Sequence, residues 1–265
     1  MRRLALTSWS LHRRLQGDTQ AAGGSNGAAL RLVDVPGRLA EAGIGTLEIC
    51  HFHLPTTDAA YLAELRDAIR DAGVELFSIL IDTGNIAQAD EAGRRADLRM
   101  IEGWIDVAAK LGAHAVRVIG GDAEPTDHDA LERSIEGLRQ LSEYAQERGI
   151  RVLTENFRLL TSTPENCNRI LDALGGTVGL CADIGNFPAD TRVPDFQEVV
   201  RRAESIHVKA SYDVAGMIDP TQVRECLDAS VAAGFTGPYT LVYDRPGDDW
   251  AGITELQRIA APYTN

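Results

Sequence analysis

The feature that most constrains this chain is an alternation. Eight short apolar runs rich in β-branched residues are each followed by a longer stretch with helical spacing. The predicted strands are Leu4 to Ser10, Thr46 to Cys50, Glu75 to Ile81, Ala115 to Ile119, Arg151 to Glu155, Val178 to Ala182, Ser205 to Val208 and Tyr239 to Tyr243. The predicted helices between and after them are Val33 to Ala42, Ala59 to Ala72, Ala96 to Leu111, Asp129 to Arg148, Pro164 to Leu174, Asp195 to Arg202, Pro220 to Ala233 and Trp250 to Ala261. Gly43, Gly73, Gly112, Gly149 and Gly234 stand just past helix ends, and Pro164 and Pro220 stand where a first helical turn begins. Strict β-α alternation implies a parallel sheet covered by helices. Eight units in 265 residues suit a closed (β/α)₈ TIM barrel, and no Gly-rich dinucleotide fingerprint follows the first strand to favour an open doubly wound sheet. The expectation is therefore a single α/β TIM-barrel domain over 1–265. A flexible, glycine-rich loop at about 16–29 follows the first strand, and it reads either as a lid over the active-site face or as a surface insertion without a role.

Charge and cysteine usage narrow the partners. With 26 Lys and Arg against 39 Asp and Glu, the net charge of −13 repels nucleic acid and anionic membranes alike, and no basic run overrides it. No apolar run reaches the roughly 18 residues of a membrane span, and the first residues lack a signal-peptide core, so the expected location is cytoplasmic. Cys50, Cys167, Cys181 and Cys226 stand far apart without metal or disulfide spacing and read as reduced, space-filling thiols. The oligomeric state is left open, a homo-oligomer included.

In a barrel, ionisable residues at strand C-termini are candidates for chemistry. Here the strand ends carry Glu48, His51 and His53; Asp82; Arg117 and Asp122; Glu155 and Asn156; Asp183 and Asn186; His207 and Lys209; Asp244 and Arg245. Glu155, Asp183 and His207 end three successive strands and converge towards the barrel axis. Two carboxylates and an imidazole suit a single divalent cation, with Mn²⁺ the first choice and Mg²⁺, Co²⁺ or Zn²⁺ as alternatives, and the lack of a thiolate in that trio argues against a structural zinc.

Local strings carry a resemblance. Thr154-Glu155-Asn156, Cys181-Ala182-Asp183-Ile184-Gly185-Asn186 and Ile206-His207-Val208-Lys209 resemble the fifth-, sixth- and seventh-strand motifs of the xylose-isomerase-like TIM-barrel superfamily of sugar isomerases and epimerases. Gly45-Thr46-Leu47-Glu48-Ile49 is similar to its second-strand motif, and Gly112-Ala113-His114-Ala115-Val116-Arg117 to its junction into strand four. The resemblance implies Glu155, Asp183 and His207 as ligands of one divalent metal. It also implies a fourth ligand, a glutamate on the eighth strand, yet in Gly237-Pro238-Tyr239-Thr240-Leu241-Val242-Tyr243-Asp244 that place holds Val242. Asp244, two residues on and of the same parity, either reaches the metal from one step higher or leaves the position to water.

With such a metal, the expected chemistry is isomerisation or epimerisation of a sugar, keto-sugar or cyclitol through an enediolate. Glu155 is the proton-transfer candidate, Asp244 its counterpart, and Lys209 either contacts a substrate oxygen or pairs with Asp183. His51 and His53 share one face if the chain stays extended there, and would then meet substrate hydroxyls. Arg117, Arg158 and Arg245 supply positive charge for an anionic substrate or form surface pairs. Trp9 and Phe157 wall a sugar face or pack in the core. Asp82 and Asp122 read as loop or capping residues. Two other readings stand beside the first: a lyase or dehydratase acting on a keto-sugar, which needs only one base, and a non-catalytic carbohydrate-binding barrel. The endonuclease branch of the superfamily resembles a site with an extra histidine three residues past the strand-six Asp. Here Asn186 stands in that place, so DNA repair is not expected.

Overall fold

The computed structural model describes residues 2–15, 29–214 and 216–264. The loop expected at about 16–29 lies, but for its last residue, outside them. Eight parallel strands close into a barrel: β1 (Arg3–Thr7), β2 (Thr46–Cys50), β3 (Glu75–Ile81), β4 (Ala115–Val118), β5 (Arg151–Glu155), β6 (Val178–Asp183), β7 (Ala203–Lys209) and β10 (Pro238–Val242). β10 pairs with both β1 and β7, which closes the ring. Between β7 and β10 lies a short antiparallel pair, β8 (Ser211–Tyr212) and β9 (Ile218–Asp219). The helices are α1 (Val35–Glu41), α2 (Ala59–Asp71), α3 (Glu91–Leu111), α4 (His128–Gln146), α5 (Pro164–Ala173), α6 (Arg192–Val199), α7 (Thr221–Ala232) and α8 (Asp249–Ala260). The TIM-barrel fold read from the alternation is thus the observed one.

The differences from the sequence reading are local and have causes. β1 ends at Thr7 because the Thr7 hydroxyl accepts from the Trp9 N–H at 3.3 Å and turns Ser8–Leu11 into a 3₁₀ helix. α3 starts five residues before the expected Ala96. Its first turn has no apolar period, but the Asp90 carboxylate caps it by accepting from the Ala92 and Gly93 N–H groups. At the other end Gly112 takes φ +76°, a left-handed conformation that stops the helix where a side chain at that position would be strained.

The apolar core lies chiefly between barrel and helices. A small separate apolar cluster of Phe77, Ala115 and Leu153 comes from β3, β4 and β5. Above that layer the interior is polar and buried: Glu48, Ser78, Arg117, Glu155, Asp183 and His207 are each less than 5% exposed. Apolar side chains normally fill this volume, and buried charge is costly unless it is paired. These residues therefore point to a function at this end of the barrel.

The segment after β2 corrects one expectation. His51–His53 is a 3₁₀ turn rather than extended chain, so the two imidazoles do not share a face towards the barrel axis. His53 is fully buried, with Nδ1 2.8 Å from the Ser8 hydroxyl and Nε2 3.1 Å from His12 Nδ1. Burial, and then repulsion from His12, push its pKa down to about 3. The unfolded chain binds a proton near pH 6.5 that the folded chain refuses. His53 thus contributes its full stability above pH 6.5, and that contribution is lost as pH falls towards 3, at up to about 1.4 kcal/mol per pH unit. Urea titrations of wild type and His53→Gln between pH 6 and pH 4 should differ in slope by about that amount. Equal slopes would mean that His53 is not held neutral.

Candidate active site

The C-terminal ends of β5, β6 and β7 bring Glu155 and Asp183 to either side of His207. Asp183 and His207 are direct register partners, as are Glu155 and Cys181. His207 Nδ1 lies 3.5 Å from Glu155 Oε1 and 3.6 Å from Asp183 Oδ2. These distances are long for good hydrogen bonds. They suit atoms that share an ion, since ligands about 2.1 Å from a common cation stand roughly 3.0–3.5 Å apart. The donor set, two carboxylate oxygens and one imidazole nitrogen, fits a divalent metal. Asn156 fixes the site from below: its amide donates to the Asp183 carbonyl at 2.9 Å and accepts the Asp183 N–H at 2.7 Å, so the side chain acts as an extra rung between β5 and β6.

The far face of His207 is equally defined. Nε2 lies 2.8 Å from Glu48 Oε2, and the Ser78 hydroxyl donates to Glu48 Oε1 at 3.1 Å. Burial opposes a charge on His207, but Cys181, Glu48 and Glu155 outweigh it and hold its pKa well above the ordinary histidine value. Cys181 approaches the same cluster from β6, its ligand atom within 4.8 Å of those of Glu155 and His207. Burial pushes its pKa up to about 11, with His207 pulling the other way.

A further strand end, β4, supplies Arg117. Its guanidinium pairs with Asp82 and comes within 2.8 Å of Glu155. Burial opposes ionisation of Asp82, and Arg117 overrides it, lowering the Asp82 pKa. The contact with Glu155 is close but off-axis: neither Arg117 Nε nor Glu155 Oε2 completes a hydrogen bond. Glu155 therefore has two distinct oxygens. Oε1 faces His207 and also accepts from the Asn186 amide at 3.1 Å, while Oε2 is left without a donor.

These groups floor an open cavity of about 330 Å³, enough for one small polyol, with Trp9, Phe157 and Val242 on its walls. Of the residues singled out from sequence, Trp9, Arg117, Glu155, Arg158, Asp183, His207, Lys209 and Asp244 all border this cavity. Lys209 is steered into it by Gly185: a Cβ there would lie 2.7–2.8 Å from the lysine stem. Its ammonium donates to Asn186 Oδ1 at 3.4 Å, not to Asp183. Arg158 stands at the rim, 3.4 Å from Asp122 and over the Phe157 ring, with an uncommon left-handed φ of +68°. Asp244 borders the cavity but is not among the carboxylates paired with His207.

His51 and His53 are absent from the lining. His51 packs edge-on against Trp104, with Nδ1 3.3 Å from both the Leu80 carbonyl, to which it donates when protonated, and the Asp82 N–H, from which it accepts when not. Arg245 lies over Tyr212 and does not reach the cavity. Asp82, read from sequence as a loop or capping residue, does line it. Glu48 and Cys181 received no role from sequence, since an inward strand position looks the same whatever it later meets.

Known proteins share this fold. The family model described as xylose isomerase-like TIM barrel matches residues 36–251. No curated protein matches the sequence. Among solved structures, a xylose isomerase-like TIM barrel protein from Mycobacterium smegmatis in complex with magnesium is similar with a TM-score of 0.72 at 17% identity, over 99% of this chain and 96% of that one. D-psicose 3-epimerase from Clostridium cellulolyticum H10, solved with D-tagatose, is similar with a TM-score of 0.71 at 17% identity, over 98% and 96%. The probable 3-DHS dehydratase AsbF from Bacillus anthracis, involved in petrobactin synthesis, gives 0.73 at 13% identity, over 97% and 98%. On the match to its family model, which spans most of the sequence, the chain belongs to the xylose isomerase-like TIM barrel family.

Proposed function

We propose that the protein is a divalent-metal-dependent isomerase or epimerase that moves a proton next to the carbonyl of a sugar, keto-sugar or cyclitol through an enediolate. The observation that carries this reading is that Glu155 Oε1 and Asp183 Oδ2 both face His207 Nδ1, at 3.5 and 3.6 Å, on the lining of a sugar-sized cavity. The structural likeness to a D-psicose 3-epimerase and to a probable 3-DHS dehydratase is in keeping with this reading. Glu155, Asp183 and His207 would hold the cation, which would supply Lewis-acid polarisation of a substrate carbonyl. Mn²⁺ is the ion of first choice, with Mg²⁺, Co²⁺ and Zn²⁺ accepted by the same donors.

The chain's own groups divide the remaining work. Glu155, which borders the cavity beside His207, takes the proton from carbon. Arg117, itself held by Asp82, keeps the Glu155 carboxylate in place. Lys209 and Asn186 present polar hydrogens to substrate oxygens, and Trp9 and Phe157 shield the sugar face from water. Asp244 returns or removes a proton on the other face of the substrate. Elimination from a keto-sugar is the second reading, and the observation favouring it is Val242. This apolar residue borders the cavity where a second carboxylate would serve two-base epimerisation.

Incubating the protein with Mn²⁺ and a panel of ketoses and keto-cyclitols in D₂O tests the proposal. Deuterium α to the carbonyl, in product or recovered substrate, is the expected outcome. Loss of water from the substrate would select the elimination reading, and binding without exchange would leave a carbohydrate-binding barrel. Asp244→Asn should leave Mn²⁺ affinity within about threefold of wild type, because Asp244 is not among the carboxylates paired with His207, and should slow an epimerisation by about 100-fold. A large loss of Mn²⁺ affinity in calorimetry would instead make Asp244 a ligand.

A further inference from the structure

Glu48 is a buried carboxylate that the proposed chemistry does not use. It is 1% exposed, does not border the cavity, and so cannot touch a substrate. Both of its oxygens are committed, Oε1 to the Ser78 hydroxyl and Oε2 to His207 Nε2. β2 and β7 stand apart in the barrel order, and the 2.8 Å contact joins residues 159 apart in sequence. The imidazole is a rigid plane, so holding one nitrogen sets the direction of the other. With Nε2 held by Glu48, Nδ1 faces Glu155 Oε1 and Asp183 Oδ2.

We infer that Glu48 is a positioning residue for the cation site, acting through His207 and resting on the metal-dependent reading above. By accepting the Nε2 proton it leaves the Nδ1 lone pair as the metal donor, fixes the ring, and makes that nitrogen more electron-rich. It has a second consequence here. The strand that completes the ring of donors, β10, brings Val242 to the cavity rather than a charge, so the negative oxygens that face His207 Nδ1 are those of Glu155 and Asp183. Glu48, hydrogen-bonded to the third donor, contributes a third negative charge from inside the barrel. The carboxylate is thus delivered through an imidazole instead of directly. Ser78 holds the delivering group still.

Calorimetric titration with Mn²⁺ at pH 7 of chelator-stripped wild type and Glu48→Gln tests this. The glutamine keeps the shape and can still accept the Nε2 proton but lacks the charge. An apparent Kd weaker by about 10- to 100-fold is expected. A Kd within twofold of wild type overturns the inference. Nitrogen-15 NMR of Zn²⁺-loaded wild type gives a test that does not depend on the variant folding. His207 should show a slowly exchanging Nε2–H and no proton on Nδ1, and the reverse pattern also overturns it. A wild type that binds neither Mn²⁺ nor Zn²⁺ removes the proposed function and this inference together. Equal binding by wild type and Glu48→Gln removes this inference alone.

Discussion

Glu155→Gln is expected to lower turnover by about 1,000-fold while the protein stays folded, because the amide matches the carboxylate in size but cannot accept the proton. The surroundings argue for a tolerant fold. Asn186 already donates to Glu155 Oε1, which a glutamine Oε1 can replace, and Arg117 retains Asp82 as its partner. The variant does leave Arg117 with one anion fewer in a buried site, so a modest fall in thermal stability should accompany the loss. Deuterium exchange into a ketose should fall in parallel with turnover, since both need the same proton transfer. Exchange at the wild-type rate would move the base elsewhere, with Asp244 or Lys209 the next candidates on the cavity wall.

Asp183→Ala should remove metal and activity together, with a rate loss of about three to four orders of magnitude. Asp183 contributes more than a donor atom. Its Oδ1 accepts from the Gly185 N–H at 2.6 Å and shapes the turn that presents Asn186, while its backbone is clamped by Asn156. Removing the carboxylate therefore also loosens the residue that bridges Glu155 and Lys209. Asp183→Asn separates the two roles, because it can keep the turn while losing the negative charge. The account expects Asp183→Asn to bind metal as poorly as Asp183→Ala but to match wild-type stability in chelator. Elemental analysis and thermal melts together distinguish the cases.

Much of this was legible from sequence because the determining physics is local. Thr46–Cys50, Glu75–Ile81 and Arg151–Glu155 were readable to the residue, since short β-branched runs bounded by glycine or polar residues leave little choice of ends. Strand C-termini in such a barrel point their last inward residues at a common axis. That is why Glu155, Asp183 and His207 could be grouped before any contact was known. What escaped was decided by loops and by closure. The two histidines after β2 were assigned to substrate on the premise of an extended chain, and a 3₁₀ turn buries His53 and carries both off the cavity. Asp82 follows β3 and looked like a capping residue, but the neighbouring strand brings Arg117 to it. Glu48 was visible as a strand residue, yet its partner lies on β7, and only the closed ring of strands reveals the pair. The start of α3 was missed because the Asp90 cap, not an apolar stripe, sets it.

The most direct test of the account is the metal content of wild-type protein prepared without chelator or affinity metal, followed by titration of the stripped protein with Mn²⁺. The expected result is one equivalent of a divalent transition metal or Mg²⁺ per chain, lost in Asp183→Ala and restored to the stripped wild type by added Mn²⁺. A wild type that holds no divalent metal and takes up none on titration would contradict the central claim, and would leave the Glu48, Glu155, Asp183 and His207 cluster as a charged core without a cation.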